Sequence, residues 1–329
     1  MDAIKRLSIR KHSYFLHAYP QLRATSQLDK NQASWIMFSR QIIPQQLLDL
    51  ECLCGQELVI VEAWKVGDYH VFLSISQLTP DIELALQQMQ IDYARIDELP
   101  DLSKPGLIVL DMDSTAIEIE CIDEIAKLAG VGDEVAQITE RAMQGELDFE
   151  QSLRQRVAKL KGTDVAILEA VRQRLPLMPE LTSLLATLQD LGWKTAIASG
   201  GFTYFSDYLQ QQLKLDYAQS NQLEVVSGQL TGEVIGEVVG AQTKADILLQ
   251  LAQQYNIEEH NTVAVGDGAN DLLMMNVAGL GIAYHAKPKV EKLAQTAVRF
   301  ADLGGVLCIL SAGLVRQQKV SWKSLPANN

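Results

Sequence analysis

Cysteine is scarce in this chain. Its 329 residues hold four, Cys52, Cys54, Cys121 and Cys308, too few for a disulfide framework and suited to a compartment that keeps thiols reduced. Cys52 and Cys54 form a C-x-C pair without a second pair or a spaced histidine, so they read as helix positions rather than a metal site. Long hydrophobic runs are missing too. The longest apolar stretch, residues 303–315, is shorter than the ~18 residues a membrane-spanning helix needs, and it reads as a core helix. Residues 1–20 contain no continuous apolar block of the secretory type, which sets the expectation of a cytoplasmic protein. Basic charge is in deficit: 41 Asp and Glu against 28 Lys and Arg give a net charge of -13. That balance repels phosphate backbones and anionic membrane surfaces, so neither nucleic acid nor membrane is expected as a partner.

The composition that remains is globular, with 47% hydrophobic and 21% charged residues, and the length suits two domains. Between residues 97 and 105, Pro100 and Pro105 bracket a polar run that continues neither helix nor central strand. It divides the chain into 1–100 and 101–329. Before the linker the pattern predicts strand 35–39, helix 44–53 closed by Gly55, strands 57–65 and 69–75 joined at Gly67 and Asp68, helix 80–90 and strand 93–96. The order βαββαβ predicts a ferredoxin-like α+β domain, ACT-like by topology, with a small-molecule-binding or dimerising role. A homodimer is therefore expected.

After the linker, residues 106–110, 194–198, 262–265 and 280–284 are short continuous apolar runs, which implies strands buried on both faces. Helices at 179–191, 204–213, 243–254 and 269–278 alternate with them, predicting an α/β doubly wound parallel sheet of Rossmann type. Two insertions interrupt the alternation. Residues 119–177 carry helical periodicity and form a cap, in which Asp148 and Gln151 make a capping box that places Phe149 at a helix start. Residues 222–239 alternate as a hairpin around Ser227 and Gly228.

In such a sheet ligands bind beyond the carboxyl ends of the strands. Three of these ends run into Asp111-Met112-Asp113-Ser114-Thr115, Ser199-Gly200-Gly201 and Gly266-Asp267-Gly268-Ala269-Asn270-Asp271. Carboxylates gathered this closely raise one another's cost of ionisation unless a cation joins them, and oxygen-only ligands suit Mg²⁺. Of the histidines only His285 follows a strand near this rim, and it reads as structural or solvated.

The order DxDST, SGG, Lys244, GDGAND resembles the haloacid dehalogenase (HAD) superfamily across the whole chain after the linker. The stretches ECIDEIAKLAG, TERAMQGELDFEQSLRQRV, IASGGF and VAVGDGAND are similar to the branch that cleaves O-phospho-L-serine. The resemblance implies hydrolysis to serine and phosphate, the last step of serine synthesis. It makes Asp111 the nucleophile that becomes an aspartyl-phosphate, and Asp113 the acid and then the base. Mg²⁺ would be held by Asp111, Asp267 and the backbone carbonyl of Asp113, with Asp271 in support. Ser199, Gly200, Lys244 and Asn270 would bind phosphate. Lys244 lies in a first helical turn, where the macrodipole disfavours a cation and an anionic partner explains it. From the cap, Glu120 would meet the α-ammonium and Arg156 the carboxylate, while Met143 and Phe149 exclude water. Arg154, two residues from Arg156, points to another helix face. The alternative is another small phosphate ester, which keeps Asp111 and Asp113 but uses Glu120 and Arg156 differently.

Overall fold

The strand at Trp35 is apolar in both phases, and both of its faces prove to be covered. The computed structural model describes residues 9–11 and 29–320. Its first half runs β1 (Ile9–Lys11), β2 (Trp35–Ser39), α1 (Pro44–Cys54), β3 (Ile60–Val66), β4 (Tyr69–Ser74), α2 (Pro80–Gln88) and β5 (Asp92–Arg95). These strands form one antiparallel sheet in the order β1-β3-β4-β2-β5, which apart from β1 is the ferredoxin-like order. Local signals set the ends of the helices. Pro44 opens α1 and left-handed Gly55 closes it, while the Thr79 side chain caps α2 by accepting from Ile82 N.

One face of this sheet packs Trp35, Met37 and Phe72 against Leu47, Leu50, Ile82 and Leu86 of the two helices. The opposite phase, Ile36, Phe38, Trp64 and Val71, belongs to a core that continues into the second half of the chain.

That half runs β6 (Leu107–Leu110), α3 (Cys121–Ala129), α4 (Gly132–Met143), α5 (Phe149–Ala158), α6 (Ala166–Arg172), α7 (Leu181–Asp190), β7 (Lys194–Phe202), α8 (Thr203–Leu213), β8 (Tyr217–Val226), β9 (Gln229–Ile235), α9 (Ala241–Gln254), β10 (Thr262–Gly266), α10 (Leu272–Val277), β11 (Leu280–Tyr284), α11 (Pro288–Glu291), β12 (Thr296–Val298) and α12 (Gly304–Arg316). The sheet order is β12-β11-β10-β6-β7-β8-β9, parallel from β12 to β8 with β9 antiparallel at the edge. The doubly wound sheet expected from the sequence is present. The chain leaves β6 toward β7 on one side and returns as β10 on the other, so the strand order switches direction at β6 and opens a crevice at its carboxyl end. Helices α3 to α6 fill the insertion between β6 and β7. The capping box forms as expected, with Gln151 N donating to Asp148 Oδ1 at 2.8 Å.

Three strands escape the periodicity. β1 and β12 have three residues each, too few to show a period. The first part of β8, Tyr217-Ala218-Gln219-Ser220-Asn221, is polar, yet it pairs in parallel with β7 before turning at Ser227 and Gly228 into the hairpin. The element read as a separate hairpin insertion therefore grows out of the main sheet.

The apolar 303–315 stretch is α12, buried from Gly304 to Val315. It covers the open face of the N-terminal sheet, and Trp64 Nε1 donates to its Ser311 Oγ at 3.0 Å.

Candidate functional site

At the carboxyl ends of β6, β7 and β10 lies a pocket of about 150 Å³ lined by Asp111, Asp113, Ser199, Gly200, Asp267 and Asn270. Glu120, Phe149 and Arg156 of the helical insertion line it from above. Lys244 and Asp271 sit beneath it, both without solvent exposure. Eleven of the twelve residues singled out in the sequence thus converge, nine on the wall and two directly below.

Met143 does not join them. At the end of α4 it is 66% exposed, and its Sδ lies 3.7 Å from Lys287 Nζ. Helix α4 turns Val135 and Ile138 into the core and leaves its C-terminal end outside, so the expectation that Met143 seals the pocket does not fit this arrangement.

The floor is a charge network. Lys244 Nζ lies 2.8 Å from Asp111 Oδ1 and 2.6 Å from Asp271 Oδ1. Burial alone would lower the Lys244 pKa, but Asp111 and Asp271 outweigh it and raise it. Asp271 Oδ2 also accepts from Gly268 N at 3.0 Å, so both of its oxygens are engaged. Asp267 accepts from Thr115 Oγ1 at 3.3 Å. One oxygen each of Asp111, Asp267 and Asp271 lies within 4.8 Å of the others. At that separation each ionised pair repels by on the order of 3 kcal/mol for an effective dielectric of ~20. A single lysine leaves two of the three negative charges uncompensated. Asp267 records this: burial and then the charges of Asp111 and Asp271 push it up to about 7, and Asp271 is pushed up to about 6. A hard divalent cation would relieve both, and the oxygen-only donor set suits one.

Asp113 is different. Burial first, then Glu120 and Asp111, raise it well above the usual carboxylate range, with hydrogen bonds from Cys121 opposing. Its Oδ1 is buried and finds no partner among the described residues. A carboxyl whose proton is favoured by burial and by neighbouring carboxylates is suited to donate it.

On the far side, Ser199 Oγ accepts from Gly201 N at 2.9 Å, shaping the turn after the straight part of β7. Gly200 has no room for a side chain, because a Cβ there would stand 2.5 Å from Phe149 Cζ. That contact brings the insertion directly against the sheet. Arg156 Nε is buried with no partner among the described residues, while Asp123, Glu120 and Asp113 act on its charge from around it. Arg154 turns away to Glu150 Oε1 at 2.8 Å and Val234 O at 3.3 Å, as its helical offset predicts.

Two residues quoted in the DxDST motif had no role assigned from sequence. Ser114, with φ 56, donates to Glu120 Oε1 at 2.8 Å and orients it, and Thr115 does the same for Asp267. Their hydroxyls next to two acids were a visible signal, but only the fold brings residue 267 to residue 115. His285 lies outside the pocket, with Nε2 2.9 Å from Ala301 O and its ring stacked on Tyr284. The four cysteines are free, Cys52 and Cys54 in α1 as expected.

Residues 105–279 match the family model of haloacid dehalogenase-like hydrolases, and residues 31–95 match a domain of unknown function, DUF5609. A phosphoserine phosphatase of Vibrio cholerae is 67% identical over 326 residues, 99% of each chain. One of Haemophilus influenzae is 52% identical over 298 residues, covering 89% of this chain and 95% of its own. The crystal structure of a probable phosphoserine phosphatase from Vibrio cholerae, in unliganded form, superposes with a TM-score of 0.89 at 66% identity, covering 98% of this chain and 100% of that one.

Proposed function

The chain belongs to the haloacid dehalogenase-like hydrolase family, and from that premise we propose that it hydrolyses O-phospho-L-serine to L-serine and phosphate, the step that ends serine synthesis. The observation that carries the reading is the pairing of two unlike walls in one pocket: Asp111, Asp113 and Lys244 below, and above them Glu120 and Arg156, whose buried Nε has no partner among the described residues.

Asp111 attacks phosphorus, forming a P–O bond to its carboxylate as the P–O bond to serine breaks. The Asp113 carboxyl gives its proton to the departing serine oxygen. Once ionised, Asp113 takes a proton from a water molecule that attacks the same phosphorus, releasing phosphate and restoring Asp111. Lys244 holds Asp111 in place and, with Ser199, the Gly200 amide and Asn270, offers donors to phosphate oxygens. Asp111, Asp267 and the Asp113 carbonyl would hold Mg²⁺, with Asp271 bracing Lys244 beside them. When bound, the ion offsets negative charge on the phosphoryl oxygens.

Above, Glu120 meets the α-ammonium and Arg156 the α-carboxylate, while Phe149 excludes water. We place the reaction in the cytoplasm, where free thiols persist. We also read the chain as a homodimer: Leu48 and Leu53 of α1 are 47% and 66% exposed, apolar surface that a second copy would cover. In sedimentation the wild type is expected to run as a dimer and Leu48→Asp/Leu53→Asp as a monomer; a monomeric wild type refutes the pairing.

The decisive assay is phosphate release from L-phosphoserine beside a panel of sugar and nucleotide phosphates, with Mg²⁺ and with excess chelator. Strong preference for phosphoserine, abolished by chelator and restored by Mg²⁺, is expected. Preference for another ester would retain the Asp111 chemistry but overturn the roles of Glu120 and Arg156, and full activity in chelator would overturn the metal.

A further inference from the structure

The helical insertion hangs from two short segments that pair with each other. Met178 N donates to Ala116 O at 2.9 Å and Glu118 N to Pro176 O at 3.0 Å, with Ile117 and Leu177 opposed as an antiparallel bridge. Any swing of the insertion over the pocket has to work through this pair. The return segment runs on through Pro179 to Glu180, the residue that caps α7. There the backbone has φ 66, a left-handed conformation uncommon for a residue with a Cβ. Backbone held in that region persists only where its surroundings over-determine it.

The surroundings come largely from the N-terminal sheet. Glu180 Oε2 accepts from the Tyr69 hydroxyl at 2.9 Å and from Gly304 N at 3.0 Å, and Oε1 accepts from Arg40 Nη2 at 2.9 Å. Tyr69, the first residue of β4, is 2% exposed, and its hydroxyl accepts in turn from Asp302 N at 3.0 Å. Arg40, just after β2, also reaches Asp302 Oδ2 at 2.5 Å and lies 5.3 Å above the Tyr69 ring. Gly304 has to be glycine for this to form, since a Cβ would stand 2.3 Å from Glu180 Oε2. Glu180 is thus gripped by two side chains, Tyr69 and Arg40, of the region that matches a domain of unknown function.

We propose that the N-terminal sheet is a clamp on the hinge of the helical insertion, with Tyr69 and Arg40 holding Glu180 in its left-handed conformation and so setting how readily the insertion opens over the pocket. The catalytic consequence rests on the phosphoserine reading; the conformational one does not. If loss of the clamp lowers the fraction of molecules with a binding-competent insertion, apparent affinity falls by that fraction.

The test uses the full chain carrying Tyr69→Phe and Arg40→Ala together, in the wild-type background and again in a Glu180→Gly background. Glycine adopts φ 66 without strain and offers the clamp no carboxylate. In the wild-type background the two substitutions are expected to raise KM for phosphoserine roughly tenfold, the scale of one charge-assisted hydrogen bond, with a smaller change in kcat. Amide hydrogen exchange is expected to quicken across residues 116–180 while the N-terminal sheet exchanges as before. In the Glu180→Gly background neither KM nor exchange should respond to them.

Unchanged KM and exchange in the wild-type background would overturn the clamp. So would a response that persists in the Glu180→Gly background, or exchange that rises equally in the N-terminal sheet, which would mark Tyr69 as a packing residue alone. If the wild type does not turn over phosphoserine, the substrate reading fails and the exchange experiment still decides the clamp.

Discussion

Asp111→Asn is expected to lower kcat on O-phospho-L-serine by roughly 10⁴-fold or more, the scale on which an enzyme loses its nucleophile. The substitution keeps the shape of the side chain and an oxygen that can still accept from Met112 N, which lies 2.7 Å from Asp111 Oδ1. Lys244 keeps its other carboxylate partner, Asp271, at 2.6 Å. The fold should therefore survive, and circular dichroism and thermal melting should resemble wild type. What disappears is the anionic oxygen that forms the bond to phosphorus. Trapping phosphate on the protein with labelled substrate should label wild type at Asp111 and leave the variant unlabelled. Turnover within tenfold of wild type, or a covalent phosphate in the variant, would remove Asp111 from the reaction.

The second large effect concerns selectivity. Arg156→Ala should reduce kcat/KM for phosphoserine by roughly 10- to 150-fold, the range implied by losing hydrogen bonds to a charged group worth ~1.5–3 kcal/mol. An uncharged aryl phosphate should lose little, because it has no carboxylate to offer. The buried Nε of Arg156 has no partner among the described residues, so the side chain contributes little to the resting fold beyond its packing. Arg154→Ala is the matched control: its bonds go to Glu150 and Val234 O, away from the pocket, and its removal should leave both substrates nearly unaffected. Equal losses on phosphoserine and the aryl ester would rule out the carboxylate role.

Much of this was legible in the sequence, for a definable reason. Asp111 and Asp267 each follow a buried apolar strand and Ser199 follows the apolar run 196–198 within β7, and a parallel sheet delivers such residues to one rim whatever the loops do. Arg156 and Phe149 could be placed because the Asp148 and Gln151 capping box fixes where α5 begins. Met143 could not be placed. Its position depends on how the whole insertion tilts against the sheet, and no local pattern encodes that. The paired roles of Ser114 and Thr115 were hidden for a similar reason, being contacts of side chains 6 and 152 residues apart. Glu180 was the least visible: nothing in the run Met178-Pro179-Glu180-Leu181 marks a glutamate for left-handed backbone, and the cause lies more than a hundred residues away in Tyr69 and Arg40.

The burial of α12 against the N-terminal sheet bears on how such a chain can be inherited. Val306, Ile309 and Leu310 share one buried cluster with Phe38 and Trp64, residues more than 200 positions earlier in the sequence. A deletion of the first hundred residues would leave that helix with a bare hydrophobic side, so loss of the N-terminal sheet calls for a matching change along α12. The unit that recombination must move intact is discontinuous: the N-terminal sheet together with the last helix, with the phosphatase sheet between them. Shortened forms of the protein should therefore carry polar substitutions along α12, and grafting the first hundred residues onto a chain without a matching apolar helix should yield insoluble protein.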